Sequence, residues 1–527
     1  MPSMSLWDQY LTKMTLKRRE ILKAAILGSS AIALSPSEIN QAKTEATGKI
    51  ADVIIIGAGN TGIPAAIEAA DLGSKVILID KNSFLGGMLI VSGGHVSGAN
   101  SKIQLRKGIK DSFEKHYQDA MRIGKYQADS ELLAIATQNA ALMIDWLEEI
   151  GVDFTEESPV LVDDHDHYSV PRTYIGKDLA RSILKPLINE LNKRTKRGNL
   201  EIMLQTKAMN LIQNKKKEVK GVRVKDRSGA EYDIESKTVI IATGGYGANK
   251  KMQSKHNPKV NAAKWVGLPH ATGDGINMAT KIDAKLVNMS HLIAFPGTIF
   301  DFNGSPTEIS TRLQFPPKHF TKSVWINRKG YRFVNEHGSP DTREVAFLNQ
   351  EELLFYVIFN HHILKQSTSL DIRNWDKKKM DKEISRGNII ASAESIEDLA
   401  RKINIPASQM LKTIDQYNKD IENNVIDSFG RELERVPIKT GPFYAFSVGG
   451  SILTTHGGIS VNHDMEVINK KDKVIPGLYA AGEVLGNGQL MGHGVVSGMS
   501  VGPAIIFGKI AARAAHRFSQ CSCQEEA

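Results

Sequence analysis

The stretch Ala51–Lys81 constrains this chain more than any other. Val53-Ile54-Ile55-Ile56 is a continuous apolar run, the pattern of a strand buried on both faces of a parallel sheet. Gly57-Ala58-Gly59-Asn60-Thr61-Gly62 follows, then an Ala-rich helical pattern, Ile63–Leu72, and a second apolar run, Val76–Ile79, that ends at Asp80. In such a unit Gly57 serves the tight turn and Gly59 the approach of a pyrophosphate. Gly62 lets the helix lie close to the strand, with its N-terminal N–H groups facing the phosphates. Asp80 is placed to accept from a ribose hydroxyl. Glycine-rich turns also arise by chance. Here the strand before, the helix behind and the terminal acid all fall in place, so the stretch reads as a dinucleotide-binding fingerprint. It does not say which dinucleotide.

The chain has 527 residues, room for two or three domains and a large core. A formal charge of +9 is modest at this length, and no basic helix is interleaved with aromatics, which argues against a nucleic-acid partner. Lys215-Lys216-Lys217 lies between strand-like runs and reads as a solvated turn. Residues 1–45 differ from the rest. Lys17-Arg18-Arg19 precedes a short apolar stretch, Ala24–Leu34, with small residues at Ala31-Ile32-Ala33. This matches a twin-arginine-type export signal and predicts an exported, periplasmic protein; an amphipathic helix on the mature chain is the alternative. The apolar run is too short to span a bilayer, so no integral membrane anchor is expected. Cysteine occurs only at Cys521 and Cys523, in the polar segment 519–527. That leaves no ligands for an iron–sulfur cluster, no haem-attachment motif and no disulfide framework in the body of the chain.

Gly86-Gly87 and Gly93-Gly94 predict a loop where backbone passes close to something flat or bulky. Residues 109–122, 130–150 and 177–196 read as helices. Asp163-Asp164-His165-Asp166-His167 resembles a ligand cluster in composition but has neither helical nor ribbon spacing, so it reads as loop and no metal site is expected. Pro171-Arg172-Thr173-Tyr174 fits a pocket wall or a structural loop equally well. Short strands at 201–204, 208–213, 219–226 and 231–235 lead to Lys237–Ile241, a second buried strand ending in Ala242-Thr243-Gly244-Gly245. His270–Gly275, which includes Asp274, then leads into a helix, 276–282. A second Gly-terminated strand roughly 180 residues after the first motif favours FAD over NAD.

From about residue 302 the pattern changes. Val324–Glu336 reads as a hairpin with a polar turn, and amphipathic helices follow at 396–402 and 410–423. The first pattern resumes with Gly457-Gly458, then Ala480-Ala481-Gly482-Glu483, then a glycine-rich loop, 486–500, that includes His493 and Gly498. Val501-Gly502-Pro503-Ala504 opens a helix, 505–517, whose N-terminus suits negative charge on a reduced flavin. The expected class is α/β: a Rossmann-like FAD-binding domain, 46–301 and 444–518, split by an inserted α+β capping domain, 302–443.

Together these residues resemble the flavoprotein superfamily of soluble fumarate reductases, urocanate-type reductases and 3-ketosteroid dehydrogenases, over about 50–518. Four blocks carry the resemblance: Gly57–Gly62 with Asp80; Ala242–Gly245; Asn327–Glu336 with Arg343; and Ala480–Glu483 with Gly502-Pro503-Ala504. The resemblance implies hydride exchange between flavin N5 and one carbon of a C–C bond beside a carbonyl or carboxyl group. A protein acid or base handles the proton on the neighbouring carbon, and the inserted domain caps the substrate. Gly57, Gly59, Gly62, Asp80, Gly86, Gly87, Gly94, Ala242, Thr243, Gly244, Asp274, Gly482, Glu483, Gly498 and Pro503 are the expected FAD contacts. Arg343 falls where fumarate reductases place their proton donor, with a salt bridge to Asp341 or Glu344 as its structural alternative.

The departures bear on substrate. Dicarboxylate reductases clamp both carboxylates with cations and donors, since a buried unpaired charge is costly. The clamp positions fall here on Phe295, on Phe315 and His319, near Val495, and on Thr454 with His456 two places on. The tyrosine of the ketosteroid branch is also missing. The substrate is therefore expected to be less charged than fumarate, with Arg343, His456 and His493 as the catalytic candidates. The absence of haem and cluster motifs implies a separate electron carrier, either a protein or a quinone-linked partner. A flavin oxidase or dehydrogenase acting on a C–N or C–O bond is the alternative function.

Overall fold

The computed structural model describes residues 48–162, 166–291, 293–310, 322–366 and 375–525. The predicted export signal, Asp163-Asp164-His165, Phe315 and His319 lie outside them. The first body is built outward from strand β1 (Ile50–Ile56). Its residues Val53–Ile56 are buried on both faces, as a parallel strand covered by helices must be. Helix α1 (Gly62–Asp71) buries all but two of its residues, because it is sandwiched between this sheet and the C-terminal helix. β2 (Val76–Ile79) pairs in parallel with β1 and, on its other side, with Leu200–Met203.

The strand β3 (Glu231–Ile241) lies on the opposite edge of β1, also parallel. The two strands expected at 231–235 and 237–241 are one continuous strand. A hairpin, Lys207–Gln213 and Val219–Lys225, is attached to its first half, with Lys217 in the exposed turn as expected. Helix α2 (Asp274–Lys281) follows, close to its predicted start. The segment predicted as one helix, 130–150, is two, Ser130–Gln138 and Ala140–Glu149, parted at Asn139.

A second sheet forms the core of the cap. β4 (Phe295–Phe300) and β5 (Phe443–Ile452) pair antiparallel at its centre. Leu354–Asn360 lies on the other side of β5, and Val324–Asn327 beyond it. Ala263–Trp265 and Ile390–Ala393 also pair with β5. The sheet therefore takes in segments on both sides of the expected boundaries at 302 and 443. Its strands are joined by long-range pairing, which local pattern does not reveal. The expected hairpin at 324–336 supplies only its first leg as a strand; the return makes a single bridge, Ile326 with Arg332. Helix α3 (Pro340–Leu348) is capped by the Ser339 hydroxyl.

The chain re-enters the first sheet through β6 (Val474–Ala480), parallel to β3. Helix α4 (Val501–Glu525) closes the molecule and lies against α1, where a side chain at Gly508 would sit 2.5 Å from the Thr61 carbonyl oxygen. The helix continues into the segment expected to be a polar tail, as far as Glu525. No helix among the described residues is long and apolar enough to cross a membrane.

Candidate active site

The glycine turn is dictated by steric limits. Gly57 has φ +108°, and a Cβ there would lie 2.3 Å from the Ala242 carbonyl oxygen. At Gly62 a Cβ would lie 1.8 Å from the Gly57 oxygen, so α1 can approach its strand only with glycine at this position. Asp80, at the end of β2, braces the turn by accepting from the Ala58 N–H at 2.7 Å and from the Asn82 N–H at 2.7 Å. A carboxylate has further acceptor capacity, which leaves Asp80 able to take a ribose hydroxyl as well.

Between the ends of β1, β2 and β3 lies an open cleft. Gly57, Gly59, Asp80, Gly87, Ala242, Thr243, Gly244, Asp274 and Glu483 line it, nine of the expected contacts. Gly62, Gly86, Gly94, Gly482, Gly498 and Pro503 do not. At Gly94 a Cβ would meet the Ala180 backbone at 2.5 Å, and at Gly498 it would meet the Ser97 hydroxyl at 2.2 Å. These two glycines let segments pack that together shape the site. Lys81 bonds Asp274 at 2.6 Å and Thr272 at 2.7 Å, and the Asp274 carboxyl is held below its ordinary range against the cost of burial.

The cleft fits FAD on the chemistry of its lining. Thr243 presents a buried hydroxyl with no hydrogen-bond partner among the described residues. A Cβ on Gly244 would meet nothing within 4 Å, so the floor is open there. Glu483 is clasped by the Thr455 N–H at 2.8 Å and by the hydroxyls of Thr455 and Thr454 at 3.0 and 3.1 Å. Burial raises its carboxyl despite these donors. Gly245 must be small because this clasp packs against it.

The clasp leads directly to His456, which is 1% exposed. Burial pushes its imidazole down to about 3, so it is neutral at physiological pH. Neither ring nitrogen has a well-formed hydrogen bond, although the Gly492 backbone comes close to one. His493 is exposed, and its N–H bonds the Gly124 carbonyl at 3.0 Å. The fold joins these two through a third imidazole that sequence reasoning missed, His291. It stacks on His493 at 3.9 Å between centroids and lies 5.4 Å from His456. His291 belongs to no glycine-rich motif, and nothing in its local pattern marks it.

Arg343, on α3, is 1% exposed, with its guanidinium 5.8 Å from the centre of the Trp325 ring. Burial brings it down to about 10, against a raising influence from Glu344. Asp341 pairs instead with Lys125, at 2.8 Å, and Lys125 adjoins the Gly124 carbonyl that holds His493. The start of α3 is thus tied to the loop beneath His493. The neighbouring Asn327–Glu336 block is structural. Glu336 accepts from both Arg332 and Arg431, and Arg332 also pairs with Asp427. Arg172 is structural too, buried between Asp111 and Asp119. Phe295, at a clamp position, is buried in β4, and Val495 is half-buried.

A parallel sheet with a glycine turn, an acid at the next strand end and a cap beside the cleft defines a dinucleotide-dependent enzyme class. Residues 52–501 match the FAD binding domain family, and the chain belongs to it. A urocanate reductase from Eggerthella lenta is 32% identical over 87% of this chain and 73% of its own length. The probable fumarate reductase Ifc3 of Shewanella frigidimarina is 29% identical over 91% and 75%. An NADH:fumarate oxidoreductase from Klebsiella pneumoniae is 28% identical over 94% of this chain, which spans only 50% of that protein. A flavocytochrome c3 fumarate reductase solved in its open conformation superimposes with a TM-score of 0.69 at 27% identity, covering 92% of this chain and 82% of that one. The protein is a flavin-dependent oxidoreductase of the CH–CH class, and its cofactor is FAD.

Proposed function

We propose that this enzyme reduces an activated C=C bond beside a carbonyl group, or runs the reverse desaturation, on a substrate less charged than fumarate. The observation that carries the reading is a retained buried cation among lost clamps. Arg343 is enclosed, while the position where the resemblance expects a donor for the second carboxylate is held by the apolar Phe295. Several named relatives act on short unsaturated acids, among them an acrylate reductase flavoprotein subunit from Shewanella woodyi, 28% identical over 94% of this chain and 98% of its own.

Bound FAD supplies hydride exchange with one carbon of the bond. Arg343 gives or takes the proton on the neighbouring carbon, aided by burial that weakens its hold on that proton. His493 is the exposed imidazole and polarises the carbonyl. His456, enclosed behind it, supports that group rather than meeting the substrate. Electrons come from a separate carrier, a redox protein or a quinone-linked partner. The basic pair Arg18-Arg19 with its short apolar run supports export through the twin-arginine route.

The test is a panel of enones, unsaturated monoacids and fumarate, offered anaerobically to photoreduced enzyme while flavin reoxidation is followed. Enones or monoacids should reoxidise the flavin faster than fumarate does. Fastest reoxidation by fumarate would overturn the substrate reading. Peroxide release with an amine or alcohol would move the activity to C–N or C–O bonds.

A further inference from the structure

Three segments far apart in sequence bring three imidazoles into one column. His493 stacks on His291 with ring planes 17° apart, and His291 meets His456 at 58°. Among the described residues, Nε2 of His291 and both ring nitrogens of His456 are buried without a well-formed hydrogen bond. Buried polar atoms in this condition cost about 1–3 kcal/mol each, so folds retain few of them. Among the described residues, no group of three or more His, Cys, Asp or Glu side chains is placed to hold a metal ion.

His493 sits between Gly492 and Gly494, and Gly492 has φ +54°. Its main chain is held by the packing of both glycines against residues 123–128 and by the Gly124 carbonyl, which leaves the ring itself to be ordered. What orders the ring is the flat face of His291, half-buried and held at its own N–H by the Asn288 carbonyl at 3.0 Å. Burial, with His493 beside it, pushes the His291 imidazole down to about 4. It thus presents a neutral aromatic face, backed by His456.

We propose that His291 is a positioning residue whose ring, by stacking, fixes the orientation in which His493 meets the substrate carbonyl. This rests on the role given to His493 above. Displacing a catalytic group by about 1 Å is enough to cost about a hundredfold in rate.

The experiment uses the FAD-loaded full chain with His291→Ala, His291→Phe, His291→Gln and His493→Ala. Two readouts are taken. One is the kcat and KM of reoxidation by the best alkene. The other is the ring-proton resonance of His493, assigned by its loss in His493→Ala. Stacking shifts that resonance upfield. His291→Ala should abolish the shift and lower kcat by about 10–100-fold with a smaller change in KM. His291→Phe keeps a flat ring and should retain the shift and restore kcat to within about threefold of wild type, whereas His291→Gln should behave as alanine does. An unshifted His493 resonance in the wild type, or a shift that survives His291→Ala, overturns the inference whatever the activity. Rescue by Gln but not by Phe overturns it in favour of hydrogen bonding. Unchanged turnover in His493→Ala, with the resonance behaving as expected, instead refutes the role given to His493 in carbonyl polarisation.

Discussion

Two clusters of buried polar side chains among the described residues, one in the cap and one beside the cleft, are built on opposite rules. In the cap, Glu336 takes Arg332 at 2.8 Å, Arg431 at 2.9 Å and the Trp325 N–H at 3.0 Å, and Asp427 takes the other side of Arg332. Every charge there is matched, and the guanidinium of Arg332 lies between the rings of Tyr417 and Phe429. Around the cleft the situation is reversed. Thr243, His291 and His456 carry buried atoms with no well-formed bond, and Glu483 is raised by burial despite three donors. A matched buried network holds a fold in one shape. An unmatched one is tolerated where a ligand completes it. On the reading proposed above, the comparison sets residues that shape the protein against residues proposed to work in it, even though both kinds are polar and buried.

The sharpest way to break this division is at Arg343, which shares a block with Glu336 but should fall on the working side. Arg343→Ala is expected to lower kcat by about 10²–10⁴-fold in folded, FAD-loaded enzyme. In the wild type, turnover should hold through neutral pH and decline as pH rises through about 10, where the guanidinium loses its proton. Glu336→Ala tests the other side. It removes the carboxylate that Arg332 and Arg431 share, leaving Arg332 with Asp427, and should cost about 3–5 kcal/mol in denaturant unfolding, with normal turnover per folded molecule. If instead it lost activity without losing stability, the division would fail.

His456 gives a smaller effect with a definite sign. Its folded pKa of about 3 lies below the ordinary value of 6.5. As pH falls below 6.5 the unfolded chain takes up the proton first, so stability is lost as pH drops toward 3. His456→Leu should flatten that acid limb in melts run from pH 7 to 4. Smallest of all is Asp341→Asn. It removes a partly exposed pair with Lys125 and should change stability by no more than about 1 kcal/mol.

What was legible in the sequence follows from how local each constraint is. The turn Gly57–Gly62, the strands around it and Asp80 were readable because steric limits at single residues impose them. His456 and His493 were marked by the glycines beside them. The extent of the cap was not readable, because its boundaries depend on β5 pairing with Phe295–Phe300 and Ala263–Trp265, far away in the chain. His291 was invisible for the same reason: Asn288-Met289-Ser290-His291 carries no local signal, and only the fold brings it to His493. The roles of Arg172 and Arg332 in ion networks likewise depend on partners brought together by tertiary structure.

β5 is buried at all ten positions and runs through the middle of the cap sheet. It ends at Ile452, and Thr454 already bonds Glu483. Only Leu453 lies between the two, so the cap is coupled to the floor of the cleft by a stiff rod with almost no slack. In mechanical terms, the central strand of the cap sheet and the threonine clasp that holds Glu483 are one short, continuous run of backbone.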